Sequence, residues 1–324
     1  MCALSEMITV MVMFRRAGTH LIGAGIAALS VIGALVLGTG AGATGAAARA
    51  ASPVVVHVVA GENFWGSVAA QIGGRDATVA SIISDPNADP HLFETDAAEA
   101  ATLARAQVAI ENGAGYDPWM RSLLSADGGS ARVVNVASIL HVGGSNPNPH
   151  LWYAVGRVPQ VAAAIAGALT RVAPEDAATF RTNLAAFDAS LVPLESTLAT
   201  IKARFHDVGV AYTERVPGYL LAAARLDNKS PPGFAQAIED GVDPGAADTV
   251  AMRRLLEHHD VNVLLYNVQT VTPVTTQMRA LARQHGIPVV GVSETMPAGA
   301  STYQQWQLSQ VRALLHALSM SRSP

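Results

Sequence analysis

Residues 176–205 read DAATFRTNLAAFDASLVPLESTLATIKARF, and this stretch decides the fold. Apolar side chains recur along it at alternating spacings of four and three residues, which places them on one face of an α-helix. The stripe consists of Phe180, Leu184, Phe187, Leu191, Leu194, Leu198, Ile201 and Phe205. A helix of this length is too long for an ordinary crossover between strands, so the stretch predicts one long connecting helix. Pro193 lies inside it and is expected to kink the helix or to remove one of its hydrogen bonds.

On both sides of this helix, short β-rich runs alternate with helical patterns. The predicted strands are Val54–Ala60, Ala77–Ile83, Gln107–Glu111, Arg132–Val136, Gly209–Thr213, Val263–Asn267 and Pro288–Val292. Strands separated by helices of ordinary length are typical of βαβ units and a parallel sheet. The sequence therefore predicts an α/β protein with two lobes, each with a mainly parallel sheet flanked by helices, joined by one long backbone helix. The predicted boundaries are 51–175 for the first lobe, 176–205 for the helix and 206–324 for the second lobe.

The N-terminal 50 residues have the layout of a secretory signal. Arg15 and Arg16 precede an apolar run at 21–37, and Ala48-Arg49-Ala50 follows as a cleavage site. We expect residues 1–50 to be a signal peptide and flexible N-terminus, and the protein to be exported to the periplasm or the cell surface. An uncleaved segment would instead tether the protein to the membrane.

Composition excludes several classes of function. The formal net charge is −4 and no basic stripe is present, which argues against nucleic acid as a partner. Cys2 is the only cysteine, so the chain cannot form an internal disulfide, a zinc ribbon or a cysteine-nucleophile site.

Four residues of metal-ligand type lie just beyond predicted strands or on the loops that leave them. His91 follows Asp89-Pro90, His150 follows Asn148-Pro149, and Glu214 and Glu294 follow two strands of the second half. Ligands gather at the carboxyl ends of strands in open α/β sheets, so these loops can converge. Two of the residues belong to each lobe, and an ion bound by all four would bridge the cleft. Two imidazoles and two carboxylates form a mixed nitrogen and oxygen set that accepts Zn²⁺ or Mn²⁺.

Six motifs, in the same order, resemble those of one known family. They are Glu62-Asn63-Phe64-Trp65-Gly66, Asp89-Pro90-His91, Asn112 to Trp119 (NGAGYDPW), Asn148-Pro149-His150-Leu151-Trp152, Tyr266 to Thr270 (YNVQT) and Glu294-Thr295-Met296-Pro297. The chain is similar, from about Val54 to Leu318, to the zinc/manganese solute-binding proteins of ABC importers, also called family 9 or TroA-like proteins. Around Glu214 the resemblance is weaker, because Arg215 stands where the family commonly has proline.

The resemblance implies two α/β lobes on one backbone helix with a metal ion between them. It implies His91, His150, Glu214 and Glu294 as the metal ligands, with Zn²⁺ or Mn²⁺ as the transported ion and a membrane permease of an ABC importer as the partner. We expect a monomer. Glu62, Asn63 and Asn112 are candidates for side chains that orient the ligands from behind.

Two other functions compete with metal capture for import. A metal-dependent hydrolase could use the same ligands, but catalytic zinc generally has three protein ligands and one open position, and the sequence contains neither His-Glu-x-x-His nor Gly-x-Ser-x-Gly. A surface adhesin of the same fold could coexist with metal binding. Assays with generic esters or peptides test the first alternative, and cell-binding assays test the second.

Overall fold

The computed structural model describes residues 55–86, 93, 95–126 and 130–321. The N-terminal segment of residues 1–50 and the candidate ligand His91 lie outside the described residues.

The first lobe contains a four-stranded parallel sheet. Its strands are β1 (Val56–Glu62), β2 (Ala77–Ile83), β3 (Val108–Glu111) and β4 (Arg132–Asn135), in the order β2-β1-β3-β4. In the register, Val58 of β1 pairs with Val79 of β2 and with Val108 of β3. All four strands therefore end at the same edge of the sheet.

The second lobe repeats this topology. Its strands are β5 (Gly209–Tyr212), β6 (Asp227–Asn228), β7 (Leu264–Asn267) and β8 (Val289–Val292), in the order β6-β5-β7-β8 and again all parallel. In each lobe the first strand in sequence is central and the second lies at the edge. The two lobes thus share an architecture that no residue-level repeat in the sequence reveals.

Helices flank both sheets. In chain order they are α1 (Asn63–Gly73), α2 (Ala97–Leu103), α3 (Pro118–Ala126), α4 (Val136–Ile139), α5 (Val158–Val172), α6 (Ala177–Ser190), α7 (Val192–Phe205), α8 (Gly218–Ala224), α9 (Pro232–Glu239), α10 (Ala246–Glu257), α11 (Pro273–Gln284) and α12 (Tyr303–Met320). The predicted α/β class with two parallel sheets is confirmed.

The connecting segment consists of two helices in direct succession, α6 and α7, which meet at Leu191. Pro193 lies in the first turn of α7, where a missing N–H costs nothing, so the hydrogen-bond ladder restarts there. Leu191 keeps helical dihedral angles, and the Glu195 N–H donates to its carbonyl at 3.0 Å. By length and mean hydropathy, Pro174–Phe205 is the described segment that could cross a membrane. Seven of the eight stripe residues are buried in the protein core, and Leu184 is half-buried.

One apolar core runs through both lobes. It includes Val58 and Ile110 of the first sheet, Leu265 and Val292 of the second sheet, and the buried face of α6 and α7. The C-terminal helix α12 completes this core with Trp306, Val311 and Leu314, and it lies against both α1 and α7. Because the core is continuous, separating the lobes would expose apolar surface along the whole junction.

Candidate metal centre

Three of the four predicted ligands lie at the carboxyl edge of the two sheets, between the lobes. Glu214 follows β5 after Thr213, and Glu294 follows β8 after Ser293. His150 precedes a short 3-10 turn, Leu151–Tyr153, on the segment that connects α4 to α5. The strand ends bring the two glutamates together within the second lobe, and His150 reaches them from the first.

The three side chains converge on one point. One ligand atom from each of His150, Glu214 and Glu294 lies within 4.8 Å of the other two, and all three residues are buried. Nε2 of His150 is 3.6 Å from Oε2 of Glu294. Among the described residues this is the one group of three or more metal-ligand side chains found at such spacing. An imidazole and two carboxylates in a buried cleft are a donor set that suits a divalent transition-metal ion.

Asn148 fixes which nitrogen of His150 faces the centre. Its Oδ1 lies 2.7 Å from Nδ1 of His150 and 3.0 Å from the His150 backbone nitrogen, and its Nδ2 donates to the carbonyl of Arg215 at 2.9 Å. These contacts leave only one orientation of the amide, so Oδ1 accepts a hydrogen bond from the Nδ1–H of His150. The lone pair of His150 is therefore on Nε2, which faces Glu294. A histidine ligand held through its other nitrogen is the usual arrangement at metal sites.

Arg215 turns away from the candidate ligand beside it. Its guanidinium makes a two-pronged ion pair with Glu239 of α9, with Nε at 2.7 Å from Oε2 and Nη2 at 2.6 Å from Oε1. Fork-shaped pairs of this kind fix a geometry as well as neutralise a charge. The loop that carries Glu214 is thus anchored at Arg215 on both sides, by Glu239 within the lobe and by Asn148 across the cleft.

Side-chain hydrogen bonds hold the two carboxylates of the second lobe. Nδ2 of Asn267 lies 2.6 Å from Oε2 of Glu214 and 2.8 Å from Oε1 of Glu294. The hydroxyl of Tyr116 donates to Oε2 of Glu294 at 2.9 Å. Burial raises the pKa of Tyr116 well above its usual value, and the nearby charges of Glu294 and Glu62 act in the same direction. Tyr116 is therefore a neutral donor at physiological pH.

The loop after β3 directs Tyr116 into the cleft. Gly113, Ala114 and Gly115 all have positive φ, at 72°, 54° and 83°. A Cβ on Gly113 would lie 2.9 Å from the Asn135 amide, so glycine is required there for space as well as for conformation.

Gln269 connects the loop that carries Glu294 to the loop that leads toward His91 by hydrogen bonds. Its Oε1 accepts from the backbone nitrogens of Glu294 and Thr295, at 2.5 Å and 3.0 Å. Its Nε2 donates to the carbonyl of Pro86 at 3.1 Å. Pro86 is the last described residue before His91 in the loop that follows β2, and His91 comes five positions later.

Of the three residues predicted to orient the ligands, Asn63 and Asn112 contact the backbone next to a ligand, whereas Glu62 does not. Asn63 makes a pair of hydrogen bonds with the backbone of Met296, at 2.9 Å and 3.1 Å, and so fixes the end of the Glu294 loop. Asn112 donates to the carbonyl of Pro149 at 2.8 Å, directly before His150. Glu62 is completely buried, and neither carboxyl oxygen has a hydrogen-bond partner among the residues that the structure describes.

The pKa of Glu62 is raised well above its usual value, first by burial and then by the negative charges of Asp117 and Glu111. The folded protein therefore binds a proton at Glu62 more tightly than the unfolded chain does. Stability is lost as pH rises from the unfolded pKa, about 4.3, toward the raised folded value. The isosteric change Glu62→Gln should make the protein more stable at pH 7, with the advantage disappearing near pH 4.

Thermal unfolding at both pH values tests this expectation. Each unit of raised pKa corresponds to about 1.4 kcal/mol, or roughly 2–4 °C in Tm for a domain of this size. The matched control is Glu175→Gln, at an exposed position, which should leave Tm unchanged. A Glu62→Gln protein that is equally stable or less stable at pH 7 would show that folding does not raise the pKa of Glu62.

Sequence reasoning placed the ligand candidates but missed four of the side chains that contact them or their loops: Asn148, Tyr116, Asn267 and Gln269. All four belong to the motifs quoted above, so membership in a motif could have marked them as candidate site residues. Which atoms they contact depends on how the two lobes meet, and periodicity contains no information about that.

Comparisons with known proteins identify the family and the fold. Residues 58–317 match the family described as zinc-uptake complex component A, periplasmic. A putative metal-binding protein of Treponema pallidum (strain Nichols) is 28% identical over 200 residues, which cover 55% of this chain and 61% of the relative. The chain thus spans about three fifths of that relative's length.

Solved structures share the fold. The periplasmic zinc-binding protein TroA from Treponema pallidum has a TM-score of 0.70 at 18% identity, covering 82% of this chain and 99% of TroA. FpvC from Pseudomonas aeruginosa, solved with Ni²⁺, has a TM-score of 0.69 at 18% identity, covering 83% and 99%. The family match over most of the chain and the shared two-lobe fold lead to one conclusion: this chain belongs to the zinc-uptake complex component A family of periplasmic metal-binding proteins, the ZnuA and TroA type.

Proposed function

We propose that the protein is the extracytoplasmic metal-binding component of an ABC importer. It captures Zn²⁺ or Mn²⁺ in the cleft between its lobes and delivers the ion to a membrane permease. The ligands are His91, His150, Glu214 and Glu294, and the protein acts as an exported monomer. The observation that carries the proposal is the convergence of His150, Glu214 and Glu294 from two lobes onto one buried point.

Burial of the site favours capture over catalysis. A fourth ligand from His91 would complete a closed set, and closed four-ligand sites lack the open position that catalytic zinc keeps for water. An adhesin of the same fold would need a surface that binds another protein. No specific observation on the described residues favours such a surface. We therefore propose a transport protein rather than an enzyme.

The test is metal analysis of the protein purified from its native compartment, followed by competition between Zn²⁺ and Mn²⁺ in calorimetry. The proposal predicts one ion per chain and saturable binding of both metals, with Zn²⁺ the tighter by intrinsic affinity. Protein that binds neither metal at stoichiometric level would overturn it. Turnover of generic esters or peptides by the metal-loaded protein would support the hydrolase instead.

Capture should proceed without a wide closure of the lobes. The shared core, the α6–α7 connection and the cross-cleft hydrogen bonds of Asn63, Asn148 and Gln269 would all have to break during a large hinge rotation. We expect the radius of gyration in solution scattering to change little when Zn²⁺ is added. The α6–α7 junction, with Pro193 in its second helix, is the place where a hinge could form. A large fall in the radius of gyration would contradict the rigid arrangement, and Pro193→Ala would then identify the hinge.

A further inference from the structure

Gln310 of helix α12 is buried where the two lobes meet. Its Oε1 accepts from the backbone nitrogen of Ser293 at 3.0 Å and lies 2.7 Å from the hydroxyl oxygen of Tyr153. Because a backbone N–H can only donate, the atom that faces it must be the amide oxygen, which fixes the orientation of the amide. Ser293 directly precedes Glu294, and Tyr153 is the last residue of the short turn after His150. A single oxygen on α12 therefore joins the backbone segments of one candidate ligand from each lobe.

The Tyr153 hydroxyl connects the same two segments directly. It lies 2.8 Å from the carbonyl oxygen of Ser293, so its one hydrogen is shared between this oxygen and Oε1 of Gln310. Burial raises the pKa of Tyr153, so the hydroxyl keeps its proton and remains a donor. The backbone nitrogen of Tyr153 donates to the carbonyl of His150 at 3.1 Å, which couples the turn to the ligand. Ser293 is thus held at both its N–H and its carbonyl.

Two further side chains of α12 reach these segments. The hydroxyl of Tyr303 donates to the carbonyl of Trp152 at 2.6 Å, and Nε1 of Trp306 donates to the hydroxyl of Ser293 at 3.1 Å. Tyr303, Trp306 and Gln310 are three and four residues apart, so they lie on one face of the helix. One rigid face of α12 therefore binds the segment after His150 in the first lobe and the segment before Glu294 in the second.

We infer that Gln310 is a positioning residue for metal binding, which sets the spacing between His150 of the first lobe and Glu294 of the second. The inference rests on the proposed function and deepens it. Nε2 of His150 lies 3.6 Å from Oε2 of Glu294, a separation that one ion with donor distances of about 2.0–2.2 Å can bridge. Ligand geometry has to be held to within about 0.5 Å by the surrounding residues. A fixed joint between the two backbones supplies that precision across the lobe junction.

The test variant is Gln310→Met. Methionine is an unbranched side chain of similar length, and its sulfur is only a weak acceptor. Zn²⁺ affinity in calorimetry should fall about tenfold, the lower end of the effect of residues behind a ligand, because Gln310 acts through the backbone. The visible spectrum of bound Co²⁺ depends on the geometry of its ligands and should change as well. A loss of stability alone would leave the spectrum of the Co²⁺-saturated protein unchanged.

A matched control is available one turn earlier on the same helix. Gln307 is completely buried, and neither atom of its amide has a hydrogen-bond partner among the described residues. Gln307→Met therefore removes a buried amide of the same kind without removing a hydrogen bond. It should leave the Zn²⁺ affinity and the Co²⁺ spectrum unchanged, and it should not lower the stability of the protein.

Tyr153→Phe tests the same joint from the other side, because it removes the hydroxyl and keeps the ring. It should also weaken Zn²⁺ binding, and the double variant should lose less than the sum of the two single losses. Wild-type affinity and Co²⁺ spectrum in a folded Gln310→Met protein would overturn the inference, and so would additive losses. If Gln310→Met does not fold, the same result in Tyr153→Phe would overturn it. Failure of the proposed function is distinguishable, because the wild-type protein would then bind neither Zn²⁺ nor Co²⁺ at one ion per chain.

Discussion

Replacing His150 with alanine should lower the affinity for Zn²⁺ by more than about 100-fold, because even residues behind a ligand contribute about 10–100-fold. The imidazole is completely buried, and its Nε2 faces the two carboxylates. Removing it leaves two glutamates of like charge without the imidazole nitrogen between them. Calorimetric titration measures the loss directly.

Thermal unfolding provides a second measure of the same change. A ligand that binds only the native state raises stability in proportion to the logarithm of its concentration over Kd. Wild-type Tm should therefore rise when Zn²⁺ is added, and Tm of His150→Ala should rise much less. The matched control is His316→Ala, at an exposed position on α12, which should behave as wild type. Equal affinities in His150→Ala and wild type would remove His150 from the ligand set.

Phe64→Ala should destabilise the protein by about 3–5 kcal/mol, the usual cost of removing a buried aromatic ring. Phe64 is completely buried and stacks on Trp152 with ring centroids 4.0 Å apart. Its ring centroid also lies 6.4 Å from that of Trp306 of α12 and 6.5 Å from that of Tyr116. The ring therefore supports the His150 segment, the Tyr116 loop and the junction between the lobes. We expect Zn²⁺ affinity to fall along with stability.

Phe234→Ala separates these two effects. Phe234 is equally buried on α9, but it belongs to the outer core of the second lobe and not to the aromatic cluster at the junction. Its loss should cost similar stability in chemical denaturation. Zn²⁺ affinity should stay close to that of the wild type, because Phe234 belongs to a separate core cluster. If both variants lose affinity equally, global loosening rather than the Phe64 cluster accounts for the effect.

Much of the architecture follows from local patterns in the sequence. β2 was predicted at its observed bounds, and the stripe from Phe180 to Phe205 forms the buried face of α6 and α7. The helix is interrupted at Leu191, two residues before Pro193, in line with the expectation that this proline removes a hydrogen bond from the ladder. The predicted lobe boundaries stay predictions.

The elements missed by sequence reasoning are short. α8 has seven residues and α9 has eight, with Gly218 and Pro232 at their starts. Two turns of helix are too few for a periodic apolar pattern, and glycine and proline at such positions indicate turns as readily as helix starts. β6 has two residues and is recognisable only by its pairing with β5.

The ligands of the site could be predicted from the sequence, but the side chains that hold those ligands in place could not. A histidine or glutamate just beyond a parallel strand is recognisable because strand ends gather at one edge. The hydrogen bond from Asn148 to the Arg215 carbonyl joins residues 67 positions apart across the cleft. Such a contact is determined by how the lobes dock, which depends on the whole core.

The most direct test of the account is anomalous X-ray scattering from crystals of the Zn²⁺-loaded protein, with data on both sides of the zinc absorption edge. We expect one zinc peak per chain between the lobes. Nε2 of His150, one oxygen each of Glu214 and Glu294, and the imidazole of His91 should lie about 2.0–2.2 Å from it. A zinc peak elsewhere, or a peak in the cleft without His150 and both glutamates around it, would contradict the account.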